Sequence, residues 1–172
     1  MYQMTDEEKE YLKKYDPNKY PKPCVTVDNI IFCKKDFYSK DITCVLLVKR
    51  GNYPYRGYWA LPGGFLDVGK ENTEQAALRE LKEETSLSLL KTKLFGVYSD
   101  PNRDPRDHVV SVVYATEVED TNLSIKAADD AAEAKFFMID TDGNAYDIYT
   151  KEKVDLAFDH QTILKDFIDK EK

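Results

Sequence analysis

The sequence predicts an α/β domain: a mixed β-sheet with helices on both faces, an α/β/α sandwich. Three observations carry this. Cys44–Lys49, CVLLVK, is a continuous apolar run of strand length, the pattern of a central strand covered on both sides. Strand-like segments flank one internal helical segment, from about Thr73 to Thr85, and a second helical pattern, Phe158–Lys170, closes the sequence. At 172 residues, with no repeat, low-complexity tract or linker, a single domain over residues 1–172 is the economical organisation.

The elements follow in order. Thr5-Asp-Glu-Glu8 is a capping-box pattern that opens a polar helix, Asp6 to about Lys14, and Asp16-Pro17 ends it. Asn18–Pro23 is an extended lead-in, so residues 1–23 form an N-terminal helix and its connection. Cys24–Cys33 is a strand, Lys34–Asp41 a polar turn region, and Gly51–Gly57 a loop. Tyr58–Leu61 is a short strand running into a Pro62-Gly63-Gly64 turn. Asn72, with Gln75 three residues on, caps the internal helix. Leu94–Tyr98, Val109–Val118 and Lys135–Ile139 are strands, Ser99–Asp107 is a loop rich in Pro, Arg and Asp, and Thr141–Asp155 is irregular.

Bulk properties narrow the function. The net charge of −7 offers no basic stripe for nucleic acid. It is compatible with a small anionic substrate if metal ions supply the positive charge. No apolar run approaches the ~20 residues of a membrane span. The opening MYQMTDEEKEYLKKYD is too polar for a secretory signal. A soluble, cytoplasmic protein with no nucleic-acid or membrane partner is expected. Cys24, Cys33 and Cys44 are odd in number and form no C-x-x-C pair, which predicts reduced, buried thiols.

The informative stretch is Gly63–Leu87, GGFLDVGKENTEQAALRELKEETSL. On a helix, Glu80, Glu83 and Glu84 fall within an arc of about 100°. Leu78, Leu81 and Thr85 occupy a neighbouring arc suited to a core. Like charges at this spacing cost a few tenths of a kcal/mol per pair, ~0.2–0.5. A solvated surface face tolerates that; so does a cluster shared with hard divalent cations, which take oxygen ligands from carboxylates and substrate phosphates together. The preceding Gly-Gly pair allows close approach of backbone to a ligand. Arg79 adjoins the cluster, and Glu71 has the charge to pair with it.

This stretch resembles the Nudix box, G-x5-E-x7-R-E-U-x-E-E-x-G-U, with U a bulky apolar residue. Glu71, seven residues, Arg79-Glu80-Leu81, one residue, Glu83-Glu84, one residue and Ser86-Leu87 follow it. The resemblance implies that Glu80, Glu83 and Glu84 coordinate Mg²⁺ or Mn²⁺, that the Gly64 carbonyl can join them, and that Arg79 and Glu71 brace loop against helix. Two departures stand out. Six residues, not five, separate Gly64 from Glu71. Either the loop has one extra residue near Gly69-Lys70, or Lys70 takes the glutamate's place; the insertion is preferred because Lys could not pair with Arg79. Ser86 replaces the final Gly, at a cost of about 1 kcal/mol if the left-handed helix end is kept.

The wider chain, from Val25 to Phe167, looks like the ADP-ribose pyrophosphatases of this superfamily. The resemblance is carried by CVLLVKRGNYPYRGYWALPGGF, YSDPNRDPRDH, DDAAEAKFF and LAFDH. Pro101, fifteen residues beyond Ser86, matches a mark of the ADP-ribose-specific subgroup. Arg103 and Arg106, on a loop stiffened by two prolines, either present their forks to phosphate or ribose or pair with Asp100, Asp104 and Asp107. Arg50 and Arg56 are further candidates for substrate. Glu133 is either a metal-binding or basic residue, as the resemblance implies, or a solvated acid. His160 is either structural or orients a group in the site. Tyr20, Tyr55 and Tyr58 either stack adenine or pack.

The expected reaction is therefore metal-dependent hydrolysis of ADP-ribose to AMP and ribose 5-phosphate. NADH, nucleotide sugars and oxidised nucleoside triphosphates are the rival substrates, and a homodimer is implied by the resemblance. The segment KYDPNKYPKPCVTVD and the RDPR loop also look like those of Nudix-type transcriptional regulators, which would make the domain a non-catalytic ligand sensor. With the sequence ending at Lys172, the winged-helix domain of those regulators is not expected.

Overall fold

The computed structural model describes residues 2–36, 41–119, 121, 125 and 131–171. The middle of the polar turn placed at Lys34–Asp41 and the Asp129–Asp130 part of DDAAEAKFF lie outside the described residues. Helix α1 (Asp6–Lys14) carries the expected capping box between Thr5 and Glu8 and buries none of its residues. Strand β1 (Cys24–Asp36) then pairs antiparallel with β2 (Asp41–Arg50) and parallel with β6 (Val109–Glu117). Strand β7 (Ala131–Ile139) lies on the far side of β2, and β5 (Lys93–Tyr98) on the far side of β6. The sheet is mixed and β2 is interior, as its unbroken apolar run requires.

Both sheet faces are covered. Along β1 and β2, Ile30, Phe32, Val45 and Leu47 point to one side, where helix α3 (His160–Lys170) adds Ile163, Leu164 and Phe167. The alternate residues, Ile31, Cys33, Cys44 and Leu46, point to the other side and meet Leu81 of helix α2 (Thr73–Thr85). A period of two with both phases apolar yields the α/β/α sandwich that the sequence predicts. Cys33 and Cys44 are buried and form no disulfide among the described residues, whereas Cys24 is only half-buried.

Four expectations are corrected. The Gly63-Gly64 pair does not form a turn. It begins strand β4 (Gly63–Phe65), which pairs antiparallel with Thr26–Asp28 of β1. The stretch Thr141–Asp155 contains two short strands, β8 (Ala145–Asp147) and β9 (Lys153–Val154), which extend the sheet beyond β7. Strand β7 begins four residues before Lys135, and α3 begins two residues after Phe158. The short strand expected at Tyr58–Leu61 is β3 (Trp59–Ala60).

The site owes its position to a fork in the sheet. Strands β1 and β2 pair only between Phe32–Asp36 and Asp41–Val45. Beyond that they diverge: β4 takes the place beside β1, and β3 lies beside Val48 and Lys49 of β2. The mouth of the fork is left open between β2 and β4, and α2 lies across it.

Helix α2 ends at Ser86 with φ 60°, in the left-handed region. The chain has kept the geometry of a glycine cap with a side chain that strains it. Ser86→Gly is expected to raise the unfolding free energy by about 1 kcal/mol without changing activity, as read from urea denaturation.

Candidate active site

A cavity of about 400 Å³ opens at the fork. Its lining brings together Arg79, Glu80, Glu83 and Glu84 of helix α2, Asp28 and the β4 glycines, and Arg50, Arg106 and Phe158. The apolar arc of α2 fixes the helix against the sheet through Ala76, Ala77 and Leu81, all fully buried. Buried Asn29 adds a polar tie: its Nδ2 donates to Ala77 O at 3.0 Å and to Pro62 O at 3.2 Å. Helix and glycine strand are thus fastened to the same residue of β1.

The glycines are needed because nothing larger fits. A Cβ on Gly63 would lie 2.1 Å from Val27 O. A Cβ on Gly64 would lie 2.5 Å from the Glu80 carboxylate. The backbone of β4 is therefore packed directly against the carboxylate helix, and Gly63 N–H donates to Glu84 Oε2 at 2.9 Å.

Arg79 organises the cluster. Its Nε and Nη2 donate to the two oxygens of Glu71 at 3.0 and 2.6 Å, and Nη2 also reaches Phe65 O at 3.1 Å. Its Nη1 donates to Glu80 at 2.7 Å and to Glu83 at 2.9 Å. Glu71, not Lys70, is the partner of Arg79; Lys70 pairs with Asp67 at 3.1 Å. The extra loop residue is accommodated in the turn closed by Lys70 N–H on Asp67 O at 3.0 Å, with Gly69 at φ 80°.

Electrostatics sets the carboxylates apart. The hydrogen bonds from Arg79 hold Glu71 below the usual carboxylate range. Burial pushes Glu80 up, against the opposing pull of Arg79. Burial also drives Glu84 up to about 8; the Gly63 N–H favours its ionised form, but the negative charges of Glu80 and Asp28 add to the rise. An elevated Glu84 beside two other acids is a site short of positive charge. The donors are hard oxygens, and a divalent cation suits them. Among the described residues no three His, Cys, Asp or Glu side chains already converge into a ligand cluster, since Arg79 spans Glu80 and Glu83 while Gly63 holds Glu84. Glu83, the exposed member of the set, is the one whose exchange of Arg79 for another cation disturbs the core least.

Another part of the lining is cationic and aromatic. Arg50 lies 4.9 Å from the Phe158 ring centre, and its Nε donates to Pro54 O at 2.8 Å. Arg106 lies 5.0 Å from the Phe65 ring and 5.5 Å from the Phe158 ring. Its Nε and Nη2 grip Asp104 at 3.0 and 2.7 Å, which is local pairing of the kind the loop's aspartates allow. Burial lowers the pKa of Arg50, and the adjacent charge of Arg106 lowers it further.

The remaining candidates fall elsewhere. Arg103 borders the cavity but is buried, and its fork grips Asp159 at 2.9 and 2.6 Å rather than facing solvent. Glu133 lies within β7 rather than ahead of it, outside the cavity lining, and pairs with Lys49 at 2.9 Å. Arg56 and Pro101 are exposed and outside the lining. His160 is buried; Leu61 N–H donates to its Nδ1 at 2.9 Å, which leaves the proton of the neutral ring on Nε2, 3.6 Å from Asp28 Oδ1. Burial lowers its pKa, keeping it neutral. Tyr55 packs edge-on against Tyr58 and Phe158, and Tyr20 is exposed.

Asp28 and Phe158 are cavity residues that the sequence pattern does not single out. Asp28 is a buried carboxylate that accepts a hydrogen bond from Ser111 Oγ and lies 3.8 Å from Arg103. A signal for it is present all the same: an acid within the otherwise apolar strand CVTVDNIIF.

The NUDIX domain family matches residues 24–146 of the chain. An ADP-ribose pyrophosphatase of Methanocaldococcus jannaschii is 45% identical over 163 residues, covering 93% of this chain and 83% of that protein. A MutT/nudix family protein from Enterococcus faecalis superposes with a TM-score of 0.77 at 32% identity, over 96% of this chain and 68% of that one. The NUDIX domain of Shewanella oneidensis NrtR, in a cocrystal structure with ADP ribose, superposes with a TM-score of 0.76 at 28% identity, over 98% of this chain and 100% of that one.

Proposed function

This chain belongs to the Nudix family, and from that premise we propose that it hydrolyses the diphosphate linkage of ADP-ribose to AMP and ribose 5-phosphate. The observation that carries the reading is that one cavity is lined both by the carboxylates Glu80, Glu83 and Glu84 and by the cations Arg50 and Arg106. A diphosphate diester presents phosphate oxygens toward both.

A divalent cation, Mg²⁺ or Mn²⁺, held by Glu80, Glu83, Glu84 and the Gly64 carbonyl, would supply the positive charge that the carboxylates lack and polarise the phosphoryl oxygens. Arg79 and Glu71 keep the helix and the β4 loop in register, so the carboxylates stay in place when the charge balance changes. Arg50 and Arg106 orient the diphosphate. Arg103, gripped by Asp159, anchors the loop that carries Arg106. The proton of the attacking water passes to an oxygen of Glu83 or Glu84. The same proposal includes a homodimer, as the family resemblance implies, together with the single domain and the cytoplasmic location expected from the sequence.

The test is a substrate panel under Mg²⁺: ADP-ribose, NADH, a nucleotide sugar and an oxidised nucleoside triphosphate. ADP-ribose is expected to have the highest kcat/KM, by at least about tenfold, a gap of 1.4 kcal/mol in transition-state binding. Pyrophosphate release from the triphosphate as the fastest reaction would contradict the proposal.

A further inference from the structure

Phe158 in the cavity lining and Tyr55 packed against it both hold a backbone conformation that glycine favours. Phe158 has φ 54° and Tyr55 has φ 60°. Their rings are in contact, with centres 4.9 Å apart. A left-handed conformation is unfavourable for a side chain of this size, and such strain persists where the surrounding structure uses the residue it holds. Phe158 sits two residues ahead of α3; it lines the cavity and packs beside Val48, Ala60 and Ala157 rather than in the α3 core. Two guanidinium groups of the cavity lining lie over that ring, Arg50 at 4.9 Å and Arg106 at 5.5 Å.

Holding two like charges over one ring is costly unless an anion meets them. No carboxylate among the described residues forms an ion pair with Arg50, although Glu84, Asp104 and Asp28 act on its charge from farther away, and its one side-chain hydrogen bond there, from Nε to Pro54 O, leaves both Nη groups without a hydrogen-bond partner. Asp104 takes two donors of Arg106 and fixes the orientation of its fork. Phe158 is the ring that the two guanidiniums share; Arg106 is held as well by Asp104 and by the Phe65 ring at 5.0 Å, whereas Arg50 has the Phe158 ring.

We propose that Phe158 is a positioning residue for phosphate recognition: its ring holds Arg50 and Arg106 side by side, and together they clamp the substrate phosphate that lies away from the carboxylate helix. The strained backbone at Phe158 aims the ring, and Tyr55 buttresses it from behind. This rests on reading the cavity as a nucleoside-diphosphate site, and it adds a residue that touches neither the carboxylate helix nor the reacting bond.

The test uses ADP and adenosine as paired probes, titrated by NMR into the full chain in the presence of chelator. Phe158→Leu is expected to weaken ADP binding about tenfold, the scale of removing the cation–π attraction that holds two guanidinium groups in place, and to leave adenosine binding unchanged. Phe158→Trp, which keeps an aromatic face, should bind ADP within about threefold of the wild type. Phe158→Gly relieves the backbone strain, so it stays folded even if the leucine variant does not, and should still lose the ADP affinity. An equal loss for ADP and adenosine would show that the ring stacks the base and would overturn the clamp. Unchanged ADP binding in the glycine or leucine variant would overturn it too. A failure of ADP-ribose hydrolysis in the wild type would count against the proposed reaction while leaving this binding comparison intact.

Discussion

Replacing Glu84 with Gln is expected to lower Mg²⁺-dependent turnover of ADP-ribose about 10³-fold or more, the scale of losing several kcal/mol of charge stabilisation. The same change should make the metal-free protein more stable at pH 8. Glu84 is driven up to about 8 from an ordinary 4.5, chiefly by burial. A carboxyl whose folded-state pKa is raised contributes its stability below the unfolded value and loses it as the pH rises through the folded one. In chelator, the wild type should therefore lose stability progressively between about pH 4.5 and pH 8. Gln cannot ionise, yet its amide oxygen can still accept from Gly63 N–H, so the variant should show a flatter profile over that range. Urea denaturation at pH 5 and pH 8 reads the difference. A variant that loses stability with pH as steeply as the wild type would contradict this placement of Glu84. Full turnover in the variant would contradict its role.

The second large effect concerns the two glycines of β4, which should fail in different ways. Gly63→Ala puts a Cβ 2.1 Å from Val27 O, and both atoms belong to paired strands that cannot separate cheaply. Loss of about 3 kcal/mol or more is expected, the upper range for forced overpacking, with poor soluble yield. Gly64→Ala directs its Cβ at the far end of the Glu80 side chain, 2.5 Å away, which can swing aside. That variant should fold, with a denaturation midpoint near the wild type, and lose most of its activity because Glu80 has been displaced. Equal stability losses in the two variants would show that β4 is not held as described.

The carboxylate helix was legible in the sequence because its determinants are local. The Asn72 cap with Gln75, the apolar arc of Leu78, Leu81 and Thr85, and the spacing of the glutamates all lie within the helix itself; Leu81 and Thr85 are buried as that arc requires, while Leu78 is half-buried and Ala76 and Ala77 complete the buried face. The choice of Glu71 over Lys70 followed from charge alone, and the two-pronged contact with Arg79 agrees with it. Long-range partners were less legible. Gly63–Phe65 has no strand propensity of its own and becomes a strand because Thr26–Asp28, more than thirty positions earlier, offers it an edge. Asp159 takes the fork of Arg103 across 56 residues, a pairing that the nearby aspartates of the Asp100–Asp107 loop concealed. Phe158 looked like the first residue of a helix; its left-handed conformation places it instead at the cavity wall. In each case a tertiary contact decided the outcome, and local pattern carried no trace of it.

The most direct test of the central claim is chromatography of the products formed from ADP-ribose by the wild-type chain with Mg²⁺, and again with excess chelator. The cavity lined by both carboxylates and cations predicts AMP and ribose 5-phosphate in equal amounts with the metal and neither without it. Saturable ADP-ribose binding with no hydrolysis in the presence of Mg²⁺ would contradict the account and mark the cavity as a ligand sensor's.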